Sequence, residues 1–328
     1  MMKNVQELQI VKAAISNDIR IIDRGETLSE PVAPNTGFVL AFTLLLGVFG
    51  GSAGAIIRHL RRGISDNPDS IEHLLELPVY ATLPYVPHQR SLERYRRPYT
   101  PGAPAVLALQ APTDTAIEGL RGLRTWFNTG DFRSTKKGLL ITGPTQAVGK
   151  TFVSTNLAAV LAATDRRVLL IDADMRKGEL EKVLKLDTAP GLADLLSDPT
   201  IDVREVIHSV GGFHCIAKGS CHELCSELLW NGRFRELLAY ACANFDDVII
   251  DSPPILAVSD AVLIGQMVGS ALLVARAGVT TAAELLEAKK RLAQAEIPLK
   301  GVIFNGVTMG RWRYGYGYSY SYDHSAAR

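Results

Sequence analysis

Cysteine and net charge are both scarce in this 328-residue chain, which is long enough for one large domain or two smaller ones. Only four cysteines are present, and the formal net charge is +1. With so little net charge, no global field indicates nucleic acid or a strongly acidic partner. We therefore expect no nucleic acid partner.

Charge is absent altogether from residues 37–57. At about 1.5 Å of rise per helical residue, this stretch spans about 30 Å, one bilayer core. The basic run Arg58-His59-Leu60-Arg61-Arg62 follows and favours a cytoplasmic carboxyl-terminal side. A buried helix of a soluble protein rarely runs so long without a polar face, and a signal peptide would start earlier. We predict a transmembrane helix at 37–57 and an extracytoplasmic segment at 1–36.

The cysteines lie on the predicted cytoplasmic side, so we expect reduced thiols rather than disulfides. Cys221 and Cys225, with His214 and His222 nearby, leave a zinc site open as an alternative. Their spacing of four exceeds the spacing of about two to three that is usual in compact zinc sites. A loop with small apolar thiols is the favoured interpretation.

The rest of the chain divides into two parts that differ in their residue pattern. Residues 58–110 contain several prolines and a charged run, which we interpret as a juxtamembrane linker. From about residue 111, helical stretches separate apolar runs of strand length at 138–142, 168–172, 213–217, 247–251, 271–275 and 301–305. Strands buried on both faces and alternating with helices predict an α/β fold with a doubly wound, mostly parallel sheet. Ligands of such sheets bind at the carboxyl ends of the strands.

The first of these strands runs into a glycine-containing loop and then a helix, as in P-loop NTPases. In its core, Gly149-Lys150-Thr151, backbone N–H groups hold the phosphates, Lys150 reaches the β and γ oxygens, and the Thr151 hydroxyl binds Mg²⁺. The loop departs from the strict pattern, because five residues rather than four separate Gly143 from Gly149. The residues predicted to bind ATP here are Gly143, Gln146, Ala147, Val148, Gly149, Lys150, Thr151 and Phe152.

Carboxylates end two further strands. Asp172 is the last residue of the predicted strand VLLID, and Asp174 follows two residues later. Asp251 is the last residue of DVIID and precedes a Ser-Pro-Pro turn. Carboxylates buried there without a partner would be costly, whereas a Mg²⁺-nucleotide offsets their charge. The alternative is that they only cap the strands. We predict that Lys150, Asp172, Asp174 and Asp251 are catalytic, and that Thr151, Asp172 and Asp251 bind Mg²⁺.

The segments TGPTQAVGKTFVSTNLA, VLLIDADMRKG and VIIDSPP resemble the Walker A, Walker A′ and Walker B motifs of the bacterial tyrosine kinases that govern capsule and exopolysaccharide synthesis. The shifted first glycine is also a feature of that family. EPVAPNTG resembles the approach to the second membrane helix in the polysaccharide co-polymerase branch, and NDIRIIDRGETLSEP resembles the end of its periplasmic domain. The resemblance covers nearly the whole chain. The first membrane helix and large periplasmic domain of full-length members are missing from this sequence, so it resembles their carboxyl-terminal part.

The resemblance implies a protein-tyrosine autokinase domain at 111–308 and a phosphorylated tail at 309–328. The acceptors are Tyr314, Tyr316, Tyr318, Tyr320 and Tyr322, which alternate with Gly, Ser and one Asp on a flexible tether. The segment Glu118-Gly-Leu-Arg121-Gly-Leu-Arg124 resembles the E-x-x-R-x-x-R helix through which these domains form homo-oligomeric rings, including octamers. Further implied partners are the membrane, the polysaccharide polymerisation and export machinery and a protein tyrosine phosphatase. The implied location is the bacterial inner membrane, with the kinase domain in the cytoplasm.

Several roles stay open at this level. Either Asp172 or Asp174 accepts the tyrosine proton, and Arg176 contacts phosphate or is a solvated charge. Asn305 contacts the adenine by family resemblance or forms a turn. One competing function is an ATPase switch of the Par/Min type, although Gln146 stands where those proteins carry a signature lysine. Another is a membrane scaffold for polysaccharide assembly whose nucleotide site is structural.

Overall fold

The structure is a computed structural model that describes residues 36–60, 63–64, 67–86, 103–127, 138–186, 190–220 and 225–308. It divides into two compact units, Met1–Leu60 and Arg61–Arg328. The predicted extracytoplasmic segment up to residue 35, Cys221 and the tyrosines of the tail lie outside the described residues.

The first unit contains helix α1, Thr36–Leu60. Its apolar side chains between positions 38 and 49 are exposed, with Phe38 and Leu44 about 70% accessible. Within the described ranges this is the one helix long and apolar enough to cross a membrane, over Thr36–Ala55. It contains the charge-free stretch from which a membrane helix is predicted.

The second unit is built on an eight-stranded sheet with the order β1-β8-β7-β2-β6-β3-β5-β4. All neighbouring strands are parallel except β4 and β5, which are antiparallel. The strands are β1 Val79–Pro84, β2 Gly138–Thr142, β3 Val168–Asp172, β4 His208–Val210, β5 Phe213–Ile216, β6 Asp247–Asp251, β7 Ala271–Arg276 and β8 Leu299–Val307. The prediction of a mostly parallel α/β sheet is confirmed.

Helices cover both faces of this sheet. As a result, side chains along its buried strands point alternately into two separate apolar cores, one on each face. Leu140 and Ile250 belong to one core, whereas Leu139, Ile141 and Ile249 belong to the other. The helices are α2 Pro68–Leu75, α3 Leu107–Gln110, α4 Thr115–Phe127, α5 Lys150–Ala162, α6 Leu180–Leu184, α7 Leu192–Ser197, α8 Gly232–Asn244, α9 Asp260–Val268 and α10 Ala282–Gln294. Short 3₁₀ helices cover Val203–Val206 and Cys225–Trp230.

The interpretation of residues 58–110 as a linker is wrong for α2, β1 and α3, which belong to the folded unit. The Asn67 side chain caps α2 by accepting a hydrogen bond from the Asp69 backbone N–H at 3.0 Å. Strand β1 pairs with β8 and forms an edge of the sheet. The proline at its end, Pro84, is tolerated because an edge strand does not need every backbone donor. Pro84, one of the prolines that resemble a linker in the sequence, therefore marks the end of an edge strand.

The cysteines also differ from expectation. Cys225 takes part in a disulfide bond, so the prediction of reduced thiols is wrong for this residue. Cys215 and Cys242 are free thiols. Burial raises the pKa of Cys215 to about 12. In the part of the chain that the structure describes, no group of three or more His, Cys, Asp and Glu side chains is placed to hold a metal ion.

Candidate active site

The loop between β2 and α5 ends at a glycine whose backbone only glycine tolerates. Gly149 precedes the first helical residue with φ +98°, and a Cβ atom there would lie 2.1 Å from Nδ2 of Asn305. Gly149 offers no side chain to cap α5, so the first N–H groups of the helix have no side-chain acceptor in the loop. Such a helix start binds anions through its N–H groups and its dipole.

A cavity of about 380 Å³ opens above this helix start. Seven of the predicted nucleotide-binding residues line it: Gln146, Ala147, Gly149, Lys150, Thr151, Phe152 and Asn305. Gly143 and Val148 are buried beside it rather than on its wall. Most of the predicted loop therefore surrounds one cavity at the carboxyl ends of the strands.

Asp251 lies at the end of β6, within reach of two hydroxyl groups of α5. The Thr151 hydroxyl donates to its Oδ2 at 2.5 Å, and the Ser154 hydroxyl donates to its Oδ1 at 3.2 Å. Burial raises the pKa of Asp251 to about 6, although the Thr151 hydrogen bond and the Lys150 charge oppose this increase. A hydroxyl and a carboxylate so close together offer the hard oxygen donors that Mg²⁺ binds alongside substrate phosphates. The site fits that ion.

Asp172 and Asp174 have different surroundings. Asp172 is buried and accepts hydrogen bonds from the backbone N–H groups of Asp174 at 3.1 Å and Leu180 at 3.2 Å. Its pKa is well above the usual range, chiefly because of burial and also because Asp251 lies opposite it on the neighbouring strand. Asp174 instead lines the cavity. Of the two aspartates, Asp174 is the one on the cavity wall.

Asn305 lies inside β8 and is buried, so the alternative of a turn-forming asparagine is wrong. Its side-chain N–H donates to the Val148 carbonyl at 2.9 Å. Arg176 is not among the cavity-lining residues. Its Nη2 donates to the Ser226 hydroxyl at 3.1 Å, and its Nε lies 3.6 Å from the Asp260 carboxylate. Arg176 is therefore paired rather than a free solvated charge.

Two basic side chains of the site have no role assigned from the sequence: Lys177, which lies in the segment that resembles Walker A′, and Arg276, which lies outside the motifs. Nζ of Lys177 donates to Oε1 of Gln146 at 3.2 Å, and Nη1 of Arg276 donates to the Ala147 carbonyl at 2.7 Å. Both residues line the cavity. Arg276 ends β7, so its place at the carboxyl edge of the sheet was the available signal.

The predicted oligomerisation residues lie on α4. Glu118 accepts a hydrogen bond from Nη1 of Arg121 on the outer surface of the helix. The Glu118 side chain is 58% exposed and that of Arg121 is 34% exposed. Trp126, two residues after Arg124, is also exposed. The Trp126 ring also packs against that of Tyr80 at 5.2 Å. This part of α4 therefore exposes both charged and apolar surface.

Comparisons with known proteins identify the parts of the chain. Residues 139–311 match the CobQ/CobB/MinD/ParA nucleotide binding domain family, and residues 1–60 match the G-rich domain family GNVR. The tyrosine-protein kinase etk of Escherichia coli strain K12 is 39% identical over 315 residues, which cover 92% of this chain. The tyrosine-protein kinase ptk of Acinetobacter johnsonii is 39% identical over 311 residues, covering 94% of this chain. The chain spans 43% of the length of the first of these relatives and 42% of the length of the second.

Solved structures resemble the second unit. The kinase domain of the Escherichia coli tyrosine kinase ETK is 40% identical, with a TM-score of 0.66 over 98% of that domain and 76% of this chain. The BceF tyrosine kinase domain is 39% identical, with a TM-score of 0.67 over 99% of that domain and 75% of this chain. The fold of the second unit thus occurs in solved structures of tyrosine kinase domains.

Proposed function

Because the chain belongs to the bacterial tyrosine-protein kinases, we propose that it is a membrane-anchored, ATP-dependent protein-tyrosine autokinase. The observation that carries this proposal is the joint presence of Lys150, Thr151 and Asp251 around the open start of α5. Phosphoryl transfer requires positioning and charge neutralisation more than covalent chemistry. This site provides N–H donors, a buried lysine and the Thr151 hydroxyl in one cavity, with the buried Asp251 carboxylate hydrogen-bonded to that hydroxyl.

Each residue has a distinct role in the proposed reaction. Mg²⁺-ATP bound in the cavity supplies the phosphoryl group. Lys150 contacts the β and γ phosphates, and Thr151 and Asp251 hold the metal ion. Asp174 orients the acceptor tyrosine and receives its proton, which its place on the cavity wall supports. Asp172 fixes the turn that carries Asp174, since its carboxylate accepts the Asp174 N–H.

We propose that the acceptors are Tyr314, Tyr316, Tyr318, Tyr320 and Tyr322, presented in a ring of identical subunits. Glu118, Arg121 and Arg124 form the contact between neighbours, which their position on the outer surface of α4 supports. The protein resides in the bacterial inner membrane through α1, and its cytoplasmic domain regulates capsule or exopolysaccharide polymerisation and export. A tyrosine phosphatase reverses the modification.

An ATPase switch of the Par/Min type is the main competitor, because the matching nucleotide-binding family includes MinD and ParA. Gln146 stands where those proteins have their signature lysine, and the kinase domains are about 40% identical to this chain. A scaffold with a structural nucleotide site would not need Asp174 on the cavity wall. The kinase is the better supported function.

The test is transfer of the γ-phosphoryl group from labelled ATP to the purified full chain in detergent. Replacing Lys150 with methionine should abolish labelling, since a buried cation facing the phosphates is lost. The matched control is Lys290→Met, which should leave labelling unchanged. The exposed ammonium of Lys290 lies 3.9 Å from the Glu287 carboxylate on the surface. Normal labelling of the Lys150→Met protein would contradict the site assignment.

A further inference from the structure

Two neighbouring strands hold consecutive carbonyls of the phosphate loop. Arg276, at the end of β7, donates from Nη1 to the Ala147 carbonyl at 2.7 Å. Asn305, in β8, donates from Nδ2 to the Val148 carbonyl at 2.9 Å. With these carbonyls held toward the strands, the conformation of the intervening peptide units is restricted. The loop is therefore constrained by side chains of β7 and β8.

The loop requires such support, because Ala147 has φ +58°. For a residue with a Cβ atom, this left-handed region is less favourable than the usual right-handed conformation, because the Cβ approaches the following carbonyl oxygen. Nothing in an alanine side chain offsets that cost. The hydrogen bond from the Arg276 guanidinium to the carbonyl of this same residue does so directly.

Arg276 is itself held in a rigid turn. Its backbone N–H donates to the Thr280 hydroxyl at 2.9 Å, and the Thr280 N–H donates back to the Arg276 carbonyl at 2.9 Å. Ile64 pairs with the same turn, donating to the Thr280 carbonyl at 2.7 Å and accepting from the Gly278 N–H at 3.0 Å. A Cβ atom on Gly63 would lie 2.3 Å from the Gly278 carbonyl carbon, so the two backbones are closely packed. The backbone of Arg276, from which the guanidinium extends, is therefore held in place.

We infer that Arg276 is a positioning residue of the nucleotide site, which keeps Ala147 in its left-handed conformation so that the loop is ready for phosphate before nucleotide arrives. This inference rests on the proposed nucleotide site. A preformed loop binds more tightly than one that must be ordered on binding, because the ordering entropy is lost beforehand. The alternative is that Arg276, which also lines the cavity, attracts the nucleotide by its charge alone.

The test compares the full chain in detergent with Arg276→Met and Arg276→Lys, using a fluorescent ADP with Mg²⁺ as the probe. Arg276→Met should weaken ADP binding about tenfold, the effect of losing one hydrogen bond from a charged group. Arg276→Lys should recover most of this loss, because an ammonium can donate to the same carbonyl. Arg235→Met, at an exposed arginine of α8, is the matched control and should bind ADP normally.

Two further measurements separate positioning from charge. Hydrogen exchange of residues 143–153 without nucleotide should be faster in Arg276→Met than in the wild type, whereas a charge effect would leave it unchanged. Ala147→Gly should restore part of the ADP affinity in the Arg276→Met background, since glycine adopts positive φ without support. The two changes should therefore be non-additive.

The possible outcomes are distinct. A wild-type chain that does not bind ADP would contradict the proposed function itself. A wild type that binds ADP, with an Arg276→Met variant that binds equally well, would overturn only the inference. Unchanged exchange of the nucleotide-free loop, or a loss that Ala147→Gly does not reduce, would also overturn it.

Discussion

Replacing Asp251 with asparagine should stabilise the nucleotide-free protein and at the same time abolish phosphoryl transfer. Asp251 is buried at the end of β6, opposite Asp172 on β3. Two hydroxyl groups and the Lys150 charge favour its ionised form, but burial outweighs them and raises its pKa. The carboxylate is thus kept at a cost to folding that a bound Mg²⁺ would offset.

The cost can be worked out from the pKa. An increase from 3.8 to about 6 corresponds to about 3 kcal/mol, at about 1.4 kcal/mol per pH unit. Below about pH 4 the carboxyl is protonated in both the folded and the unfolded protein, so it costs nothing. The stability held at low pH is lost as the pH rises toward 6, and the loss is complete above it. The neutral amide avoids this loss, so the gain of Asp251→Asn should appear only above about pH 4.

The assay is thermal unfolding of the full chain in detergent, without nucleotide, at pH 3.5 and 7.5 (roughly, the two sides of this titration). At the higher pH, Asp251→Asn should raise the midpoint by about 6 to 12 °C. Asp247→Asn, at the start of the same strand, is the matched control. Asp247 is ion-paired with Arg166, whose guanidinium donates to it at 2.7 Å, so this change should instead lower the free energy of unfolding by about 1 to 3 kcal/mol.

Two results would refute this reasoning. An Asp251→Asn protein that is no more stable than the wild type at pH 7.5 would show that the buried carboxylate carries no net cost. A gain in stability of equal size at both pH values would show that the stabilisation does not come from removing an ionised group.

Addition of Mg²⁺-ADP should raise the unfolding midpoint of the wild type but should raise that of Asp251→Asn little further.

The remaining predictions concern assembly. Replacing both Arg121 and Arg124 with alanine should give a monomer with weak tail labelling, because the charged face of α4 is lost; an unchanged mass on light scattering would count against this interface. Phosphorylation of all five tail tyrosines should dissociate the ring, since it adds roughly −8 to −10 charge per subunit next to Asp172, Asp174 and Asp251. The dephosphorylated protein and an all-phenylalanine tail in ATP should remain oligomeric, and equal masses for all three forms would rule out this electrostatic switch.

Much of the nucleotide site could be predicted from the sequence, because its parts are local. The strand, loop and helix around Lys150 are contiguous, and all six apolar runs predicted as strands are strands of the sheet. Strand β1 could not be predicted in the same way, since its place depends on pairing with β8, more than 200 residues later in the chain. The three-residue strand β4 is too short to show a pattern.

Side-chain roles at the site depended on contacts that the sequence does not contain. Asp172 and Asp174 are indistinguishable as a motif, yet one is bound to its own turn and the other lines the cavity. Asn305 holds the Val148 carbonyl, which requires β8 to end beside the loop. Arg276 belongs to no motif, and only the topology brings it to Ala147.

The most direct test of the central claim is mass spectrometry of the full chain after incubation with Mg²⁺-ATP, with the modified residues mapped by fragmentation. We expect a ladder of up to five phosphoryl groups, located on Tyr314, Tyr316, Tyr318, Tyr320 and Tyr322 and absent from the Lys150→Met protein. ATP hydrolysis by a wild-type chain whose tail tyrosines remain unmodified would contradict that claim.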